Sequence, residues 1–584
     1  MKIKKFEIEN YRNLKKVSIE FNDLTIFIGE NDAGKSNILK ALDLFFNWDE
    51  SRDIKEISQG KSVSSDQLTM NIELKNQRIF NNDGQTITLK GYIQLSPSEL
   101  KNIFPTEEIA FESSKDNVIR YPISDTIIIT VRIILKDNKN ASFEVTSIDM
   151  KDLPIHIYHR NNNQFLLRGN EDSSYRYGGA GTNIYYFLIM LVRKNFLLIP
   201  AIRKVEKELM TEATARSMES NGSYMANEFL RCEKEISTNG EEIFEQINNQ
   251  VSQIFPSYKK VVSKTENNQK LVDIFFNKFP SSSVGTGINQ LFVSIFDLNF
   301  YKNVIFGMEE PEVHLHPKAQ RDVFNFLRKQ SNTKQIILTT HSSIFVNCFD
   351  NLKLYLVKKS SDTIANVLNI ENKEKFKLIK YELGIKNSDL FFNDFIIFIE
   401  GETEEKAIPI LFSAVGMTLE ESGIYQINIR GVGRLAKIKE FLIYIKNFDM
   451  KSFLILDDDD GVKEKIKDLQ REGLVTDNFY IWKKGTFLDC FDEHYVIRAM
   501  NNLYPNKFDM TEKQLKDEKD KGKSTEKFLT KYLHERELGD LNKPALGEEI
   551  ALIVKEEINS GKERKETEAE EILKNIFSQF SSNK

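Results

Sequence analysis

The sequence predicts an α/β protein with two domains, and three observations support this prediction. A glycine-rich loop lies between an apolar strand and a helix near the N-terminus. A second series of alternating strands and helices begins near residue 386, and acidic residues directly follow two of its strands. At 584 residues the chain exceeds one ordinary core, so we expect domains over about 1–385 and 386–584.

The composition is that of a globular protein, with 40% hydrophobic and 29% charged residues. The net charge of −6 excludes a surface that is basic all over, although a local basic groove for nucleic acid remains compatible with it. No apolar run reaches the ~18 residues that span a bilayer, and the charged, alternating N-terminus is unlike a signal peptide. The three cysteines form neither metal-ligand spacing nor a disulfide framework. We therefore expect a cytoplasmic protein with no membrane partner.

The glycine-rich loop has the sequence of a phosphate-binding loop. An apolar strand is predicted over residues 24–28, and a helical pattern follows the loop. Backbone N–H groups of such a loop turn toward phosphate oxygens, the lysine reaches the outer phosphates, and the serine hydroxyl coordinates Mg²⁺. The predicted nucleotide-binding residues here are Gly29, Asn31, Gly34, Lys35 and Ser36.

Two further predicted strands end in chemically useful residues. The strand over 304–308 runs into Glu309 and Glu310, which fits a Mg²⁺-supporting carboxylate followed by a base that orients water. The strand over 335–339 precedes His341, which could sense the γ-phosphate. A lone histidine at a strand end is commonly structural, so this role depends on the other two motifs.

The segments between these motifs divide by pattern. Residues 60–180 are β-branched or alternating and predict a β-rich lobe. Residues of about 200–275 have helical spacing and predict an inserted helical arm, either for dimerisation or as a plain subdomain. Serines and glycines at 281–287 precede a helical run, and they indicate either an anion-binding element or an ordinary capped helix.

The C-terminal series brings carboxylates to strand ends. Glu400 follows a strand predicted over 395–399, and Glu404 lies one turn into the next helix. Asp457 and Asp459 follow a strand predicted over 453–456. Carboxylates gathered at the ends of parallel strands can hold divalent cations, and two such cations activate water and stabilise a leaving oxygen. The alternative is a solvated acidic loop.

The N-terminal motifs together resemble the ATPase head of the ABC superfamily. The branch most resembled contains the RecF and SMC-like DNA-repair proteins and the OLD (overcoming lysogenization defect) nucleases. The motifs are YRNL at 11–14, GENDAGKS at 29–36, SSVGTGINQ at 282–290, MEEPEVHLHP at 308–317 and LTTHS at 338–342. Most ABC heads carry Asp where this chain has Glu309, whereas OLD-like members commonly carry Glu.

The resemblance also implies how ATP is held. In that family two heads sandwich ATP, and the signature serine of one head faces the phosphate loop of the other. This implies a homo-oligomer, a dimer or a tetramer. It adds five residues to the predicted nucleotide site, which are Arg12, Asn13, Ser283, Gly285 and Gly287.

The C-terminal clusters resemble the Toprim fold shared by topoisomerases, primases and OLD nucleases. The family pattern is a glutamate after the first strand, a glycine turn, and D-x-D after a later strand. The matching residues are Glu400, Gly431, Gly433, Asp457 and Asp459.

OLD members add one further acidic residue and a lysine to this pattern. Asp489 and Lys543 fit these positions, and Lys543 would steady the charge on the scissile phosphate. Both local motifs are short, and a structural role for Lys543 is the alternative.

Together the two resemblances imply an OLD-family, ATP-gated DNA endonuclease that uses Mg²⁺ or Mn²⁺. Relatives in Gabija and retron systems imply bacterial anti-phage defence and a possible protein or nucleic-acid partner. The first alternative is a primase- or topoisomerase-like enzyme, for which no accompanying module is recognisable. The second is an ATP-switched DNA-repair protein with a non-catalytic Toprim scaffold.

Overall fold

A computed structural model divides the chain into two compact units, Met1–Glu371 and Asn372–Lys584, which are treated separately below. The structure describes residues 1–48, 51, 58–63, 69–75, 79–80, 86–103, 108–112, 118–122, 124–150, 155–160, 164–169, 174–175, 191–209, 222, 225–234, 239–266, 271–347, 352–360, 364–370, 393, 395–416, 418–430, 435–447, 450–458, 461–483, 485–561 and 564–581.

The first unit is built on a six-stranded sheet that carries the phosphate loop. Its order is β14 (Phe196–Ile199), β19 (Ile305–Glu309), β20 (Ile336–Thr339), β3 (Leu24–Gly29), β21 (Lys353–Lys359) and β22 (Ala365–Asn369). All neighbouring strands are parallel except the last pair. The first four strands are buried at every residue, as expected for a parallel sheet covered on both faces.

A ten-stranded sheet forms a second layer of this unit, and its described pairings are antiparallel. Its strands are β1 (Lys2–Tyr11), β2 (Leu14–Glu20), β4 (Ser58–Val63), β5 (Thr69–Leu74), β6 (Thr86–Gln94), β9 (Thr126–Leu135), β10 (Asn140–Met150), β11 (Ile155–Arg160), β12 (Gln164–Gly169) and β13 (Ser174–Tyr175). A separate hairpin consists of β7 (Glu108–Glu112) and β8 (Val118–Pro122). This layer is the β-rich lobe that the alternation of residues 60–180 predicts.

Seven described helices complete the first unit. They are α1 (Lys35–Asn47), α2 (Pro97–Ile103), α3 (Met225–Glu233), α4 (Gly240–Ile254), α5 (Thr286–Phe300), α6 (Pro317–Gln330) and α7 (Ser343–Asn347). Helix α1 packs on the parallel sheet, where Phe46 stacks on Phe196 with ring centroids 5.7 Å apart. This packing fixes the direction in which the helix leaves the phosphate loop.

The segment of about 200–275 differs from the purely helical arm that its spacing suggests. It contains α3 and α4, but also strands of a four-stranded sheet. The strands are β15 (Glu208–Leu209), β16 (Val261–Glu266), β17 (Leu271–Phe276) and β18 (Phe279–Pro280). The reason is local: VVSKTE and LVDIFF are rich in β-branched and aromatic residues, which favour a hairpin.

The second unit has a four-stranded parallel sheet in the order β24 (Ile424–Asn428), β23 (Phe395–Ile399), β25 (Lys451–Leu456) and β26 (Phe479–Ile481). Its described helices are α8 (Glu402–Val415), α9 (Leu435–Asn447), α10 (Val462–Arg471), α11 (Glu493–Leu503), α12 (Glu512–Asp520), α13 (Thr525–Glu535), α14 (Lys543–Asn559) and α15 (Glu568–Ser581). Within the described ranges, none of the helices combines the length and apolarity needed to cross a membrane.

Candidate functional site

The phosphate loop joins β3 to α1 and takes a conformation that requires glycine. Gly29 and Gly34 have φ of 145° and 113°, a region that L side chains rarely adopt. A Cβ on Gly29 would lie 2.0 Å from the carbonyl oxygen of Val357, so the loop also passes too close to β21 for a side chain. Asn31 is exposed and Ser36 is half-buried at the start of α1.

Lys35 lies over this loop with its ammonium group buried. Its Nζ donates to the carbonyl oxygens of Gly29 and Glu30 at 2.9 and 2.7 Å. Burial lowers the pKa of Lys35, while the nearby carboxylates of Glu310 and Glu312 oppose that shift. The group is thus held by backbone acceptors that a phosphate oxygen could replace.

Asn13 braces the same loop from the turn between β1 and β2. Its Nδ2 donates to the carbonyl oxygen of Ala33 at 3.1 Å, and its Oδ1 accepts from Asn37 Nδ2 at 2.8 Å. A Cβ on Gly34 would lie 2.8 Å from the Asn13 amide. Arg12 has a positive φ of 50°, and its guanidinium lies 5.9 Å from the Tyr11 ring. The positions suit the predicted nucleotide site, and direct ligand contact by Arg12 and Asn13 stays a prediction.

The ends of β19 and β20 bring Glu310 and His341 together. Nε2 of His341 lies 3.4 Å from Oε1 of Glu310. Burial and the positive charge of Lys35 lower the pKa of His341, and Glu310 opposes them. A neutral imidazole is therefore favoured at neutral pH. One of its ring nitrogens then carries a proton and the other can accept one. The predicted base and the predicted γ-phosphate sensor thus adjoin the same lysine.

Glu312 is a buried carboxylate for which the sequence motifs predict no role. Its Oε1 accepts from Thr340 Oγ1 at 2.6 Å and from the backbone N–H of His341 at 2.9 Å. Burial raises its pKa. Glu312 therefore ties the loop after β19 to the backbone that carries His341. The signal available in the sequence is its position in the EEPE string.

Glu309 ends β19 and is also buried. Its Oε2 accepts from the backbone N–H of Ala201 at 3.4 Å. Its buried Oε1 has no hydrogen-bond partner within the part of the chain that the structure describes. A buried carboxylate oxygen in this condition fits the Mg²⁺-supporting role predicted for Glu309, because a cation would offset its desolvation.

Arg203 is a second buried residue that none of the sequence motifs includes. It lies four residues beyond β14 and contacts the end of β19 through the carbonyl oxygen of Glu309, at 3.3 Å from Nη1. Burial lowers its pKa to about 10, and the nearby acidic groups, Glu312 first among them, counteract this shift. It therefore stays charged at neutral pH. The sequence shows only a charged residue soon after the apolar run FLLI, and it gives no sign of the distant partners that bury it.

The serine- and glycine-containing segment lies before α5. Ser283 and Gly285 are exposed, whereas Gly287 is buried in the first turn of the helix. A Cβ on Gly287 would lie 2.5 Å from the carbonyl oxygen of His314, so this glycine is required by packing. The roles of these three residues toward ATP stay predictions.

In the second unit, Glu400 and Asp457 meet at the carboxyl ends of neighbouring parallel strands. Oε2 of Glu400 accepts from the backbone N–H of Asp457 at 2.8 Å. Oδ1 of Asp457 accepts from the backbone N–H of Phe487 at 3.1 Å. Asp458, the next residue, forms an ion pair with Lys463 at 2.7 Å. Two of the predicted metal ligands therefore lie at one edge of the sheet.

Glu404 lies behind this edge in the first turn of α8 and is only 3% exposed. Burial and the negative charge of Glu400 raise the pKa of Glu404 to about 7. Its Oε1 has no hydrogen-bond partner among the described residues. A Cβ on Gly401 would lie 3.0 Å from its Oε2. The carboxylate is thus confined beside Glu400, in a place where a cation would favour its ionised form.

The full metal site stays a prediction. Asp459, Gly431 and Gly433 lie outside the described residues. Among the residues that are described, no group of three acidic, histidine or cysteine side chains is close enough to hold a metal ion.

Asp489 has structural contacts in this unit. Its Oδ2 accepts from Oγ1 of Thr486 at 2.8 Å, and its Oδ1 accepts from the backbone N–H of Thr525 at 2.8 Å. It thereby links the 3₁₀ turn after β26 to the start of α13. These bonds explain its burial without a metal, and its role as a ligand stays a prediction.

Lys543 begins α14 and pairs with Glu526. One turn further along the same helix face, Gly547 packs so closely that a Cβ there would lie 2.5 Å from Thr403 Cγ2. Because Thr403 precedes Glu404, the Lys543 end of α14 lies near the first turn of α8. A role toward the scissile phosphate stays a prediction, as does the structural alternative.

The phosphate loop on a parallel sheet in the first unit, and the strand-end carboxylates in the second, together define a phosphate-loop ATPase unit followed by a Toprim-type unit. The family model of the AAA ATPase domain matches residues 1–346, and the chain belongs to this family. The model of the overcoming lysogenization defect protein-like TOPRIM domain matches residues 391–459. Domains of these two kinds generally imply the use of a nucleotide and a divalent metal ion.

Three named relatives align with much of the chain. An "Endonuclease GajA" of Bacillus cereus (strain HuB5-5) is 25% identical over 474 residues, which cover 68% of this chain and 65% of the relative. An "Endonuclease GajA" of Bacillus cereus (strain VD045) is 23% identical, with coverage of 74% and 71%. An "OLD nuclease" of Thermus scotoductus is 23% identical, with coverage of 70% and 74%. The chain thus spans just under two thirds of the first of these relatives.

Solved structures of SMC head domains also align with the chain. The SMC head bound to the C-winged helix domain of ScpA covers 64% of this chain and 99% of that structure, at 14% identity and a TM-score of 0.38. This likeness is too weak to support an inference.

Proposed function

We propose that this protein is an ATP-dependent DNA endonuclease that needs a divalent metal ion, Mg²⁺ or Mn²⁺. The observation that carries the proposal is the contact between Glu400 and the backbone of Asp457, with the buried Glu404 behind them. Carboxylates concentrated at the ends of parallel strands suit the phosphodiester chemistry of a metal-dependent hydrolase. The named nuclease relatives support the same reaction class and DNA as the substrate.

The residues divide into holding and positioning roles. The proposed metal ligands are Glu400, Glu404, Asp457 and Asp459. Asp489 is a further candidate ligand. A bound metal ion supplies an activated water and neutralises charge on the leaving oxygen. Lys543 offers a positive charge for the scissile phosphate.

The ATPase unit supplies the control in this proposal. Lys35 and Ser36 bind the phosphates and their Mg²⁺, Glu309 supports that ion, and Glu310 orients water for hydrolysis. Arg12, Asn13, Asn31 and His341 surround the nucleotide. Binding or hydrolysis of ATP gates DNA cutting, and a second copy of the chain completes the ATP site through the segment 283–287.

The nuclease test uses purified protein, supercoiled plasmid, and Mg²⁺ or Mn²⁺, with and without ATP. We expect nicking by the wild type and a loss of at least ~100-fold in Glu400→Ala, more than the ~10–100-fold typical of outer-shell partners. Glu402→Ala is the matched control, because Glu402 is exposed one residue before Thr403 in the same turn. No nicking by the wild type under any nucleotide condition would favour the alternative of a non-catalytic Toprim scaffold.

The nucleotide test uses Lys35→Ala, with fluorescent mant-ATP as the probe. We expect the variant to lose nucleotide binding and to change the ATP response of plasmid nicking. Unchanged binding would refute the role of the phosphate loop. A defence role, suggested by the GajA relatives, predicts reduced phage plating on bacteria that express the wild type but not Glu400→Ala.

A further inference from the structure

Arg203 connects three separate parts of the ATPase unit. Its Nη1 donates to the carbonyl oxygen of Pro200 at 2.6 Å and to that of Glu309 at 3.3 Å. Its Nε donates to the carbonyl oxygen of Gln290 at 2.8 Å. These acceptors belong to the segment after β14, to the end of β19, and to the second turn of α5.

The segment around Arg203 also holds the side chain of Glu309. The backbone N–H of Ala201 donates to Oε2 of Glu309, while Arg203 holds the backbone of the same residue. Residues 200–203 therefore fix Glu309 at two points. Because Glu310 is the next residue and has a φ of 42°, a shift of the Glu309 backbone would also reorient the proposed base.

A buried arginine is costly, so its retention needs a reason. Replacing a buried charged group by well-packed apolar residues is frequently neutral or stabilising. The planar guanidinium, however, donates to carbonyl oxygens from separate nitrogens in fixed directions, whereas an apolar side chain has no donor and a lysine has a single nitrogen. Arg203 thus fixes the relative positions of three backbone segments next to Glu309, which the packing of an apolar side chain would not do.

Helix α5 links Arg203 to the exposed segment that precedes the helix. The helix begins at Thr286, directly after the exposed Ser283 and Gly285, and Gln290 lies one turn further on. A displacement of the first turns of α5 would move the Gln290 carbonyl oxygen and, through Arg203, the end of β19.

We propose that Arg203 is a positioning residue for ATP hydrolysis, which holds Glu309 and Glu310 in place and couples them to the start of α5. The inference rests on the proposed ATPase activity and goes beyond it by assigning a residue that does not touch the nucleotide. It predicts a defect in turnover and in Mg²⁺ use while nucleotide binding stays nearly intact.

The test compares Arg203→Ala and Arg203→Lys with Arg193→Ala. Arg193 is a suitable control because it is a partly buried arginine whose guanidinium stacks over Trp48, at 5.5 Å from the ring. Measurements are mant-ATP affinity, kcat and KM for ATP, the Mg²⁺ concentration for half-maximal rate, and thermal unfolding.

For Arg203→Ala we expect mant-ATP affinity within about threefold of the wild type and a kcat at least ~10-fold lower, since small misplacements of catalytic groups cost up to ~100-fold. We also expect a higher Mg²⁺ requirement, because Glu309 is displaced. A kcat and Mg²⁺ requirement no different from those of Arg193→Ala would overturn the inference.

Arg203→Lys decides the matter if Arg203→Ala does not fold. Lysine keeps the charge, but its single nitrogen cannot occupy the positions of both Nε and Nη1, so a folded Arg203→Lys protein should still lose turnover. Wild-type kcat in that variant would overturn the inference while leaving the proposed ATPase activity intact. No turnover by the wild type would instead refute the proposed activity, and this inference with it.

Discussion

Replacement of Glu404 by glutamine tests whether the edge of the Toprim-type unit is built for a cation. Burial and the charge of Glu400 raise the pKa of Glu404 to about 7. Glutamine has the shape of the protonated carboxyl group and carries no charge. We therefore expect Glu404→Gln to stabilise the metal-free unit while it weakens metal-dependent cutting.

The size and sign of the effect follow from proton linkage. The folded-state pKa lies above the unfolded one, so the unfolded chain releases its proton first as pH rises. The contribution of Glu404 to the unfolding free energy is fully present below about pH 4.5 and is lost as pH rises toward 7. Each pKa unit is worth ~1.4 kcal/mol. Relative to its value at low pH, the unfolding free energy is therefore lower by about 3 kcal/mol at pH 7 and by under ~1 kcal/mol at pH 5.

The assay is urea unfolding from pH 5 to 8 in EDTA, followed by tryptophan fluorescence. The chain has two tryptophans, so a Trp48→Phe background leaves buried Trp482 as the reporter of the second unit. We expect Glu404→Gln to raise the unfolding free energy at pH 7 by ~2–3 kcal/mol and to flatten its pH dependence. Glu402→Gln, exposed in the same turn, should change it by under ~0.5 kcal/mol.

Mg²⁺ provides the second half of this experiment. A cation at the edge would favour ionised Glu404. Mg²⁺ should therefore stabilise the wild type more than Glu404→Gln and narrow the difference in unfolding free energy between the two proteins. The reasoning would be refuted if Glu404→Gln were less stable than the wild type in EDTA at pH 8. It would also fail if the glutamine and wild-type proteins gained equal stability from Mg²⁺.

Two further predictions concern stability. Gly287→Ala should lower the unfolding free energy of the ATPase unit by ~1–3 kcal/mol, because its Cβ would meet a backbone oxygen at 2.5 Å. Gly285→Ala is its control in the same urea titration, because a Cβ there would come no closer than 3.9 Å, to Cδ1 of Ile288. Equal effects of the two substitutions would contradict the packing argument. In the second unit, burial acts to raise the pKa of Glu570, but bonds from Arg564 and neighbouring groups lower it overall. Stability from this carboxylate is present above the unfolded pKa and is lost as pH falls through the folded one, so Glu570→Gln should cost ~1–3 kcal/mol at pH 7 and reduce the acid sensitivity measured by urea unfolding.

The phosphate loop and the strand-end carboxylates were predictable because their signals are local. A glycine loop between an apolar strand and a helix, or an acidic residue after an apolar strand, is readable within about ten residues. Arg203 was not predictable in this way, since its partners Gln290 and Glu309 lie 87 and 106 positions away. The hairpin of β16 and β17 interrupts a segment whose spacing predicts helices, because its own residues are rich in β-branched and aromatic side chains.

Arg203 supports Glu309 through the backbone of that residue, with a hydrogen bond to its carbonyl oxygen. A guanidinium bonded directly to the Glu309 side chain would offset its negative charge and weaken its attraction for a cation. Arg203 instead donates to the Glu309 carbonyl oxygen, while a backbone N–H orients the carboxylate. Glu400 is likewise oriented by the backbone N–H of Asp457. In both units a backbone N–H thus orients a strand-end carboxylate, as the proposed metal sites require.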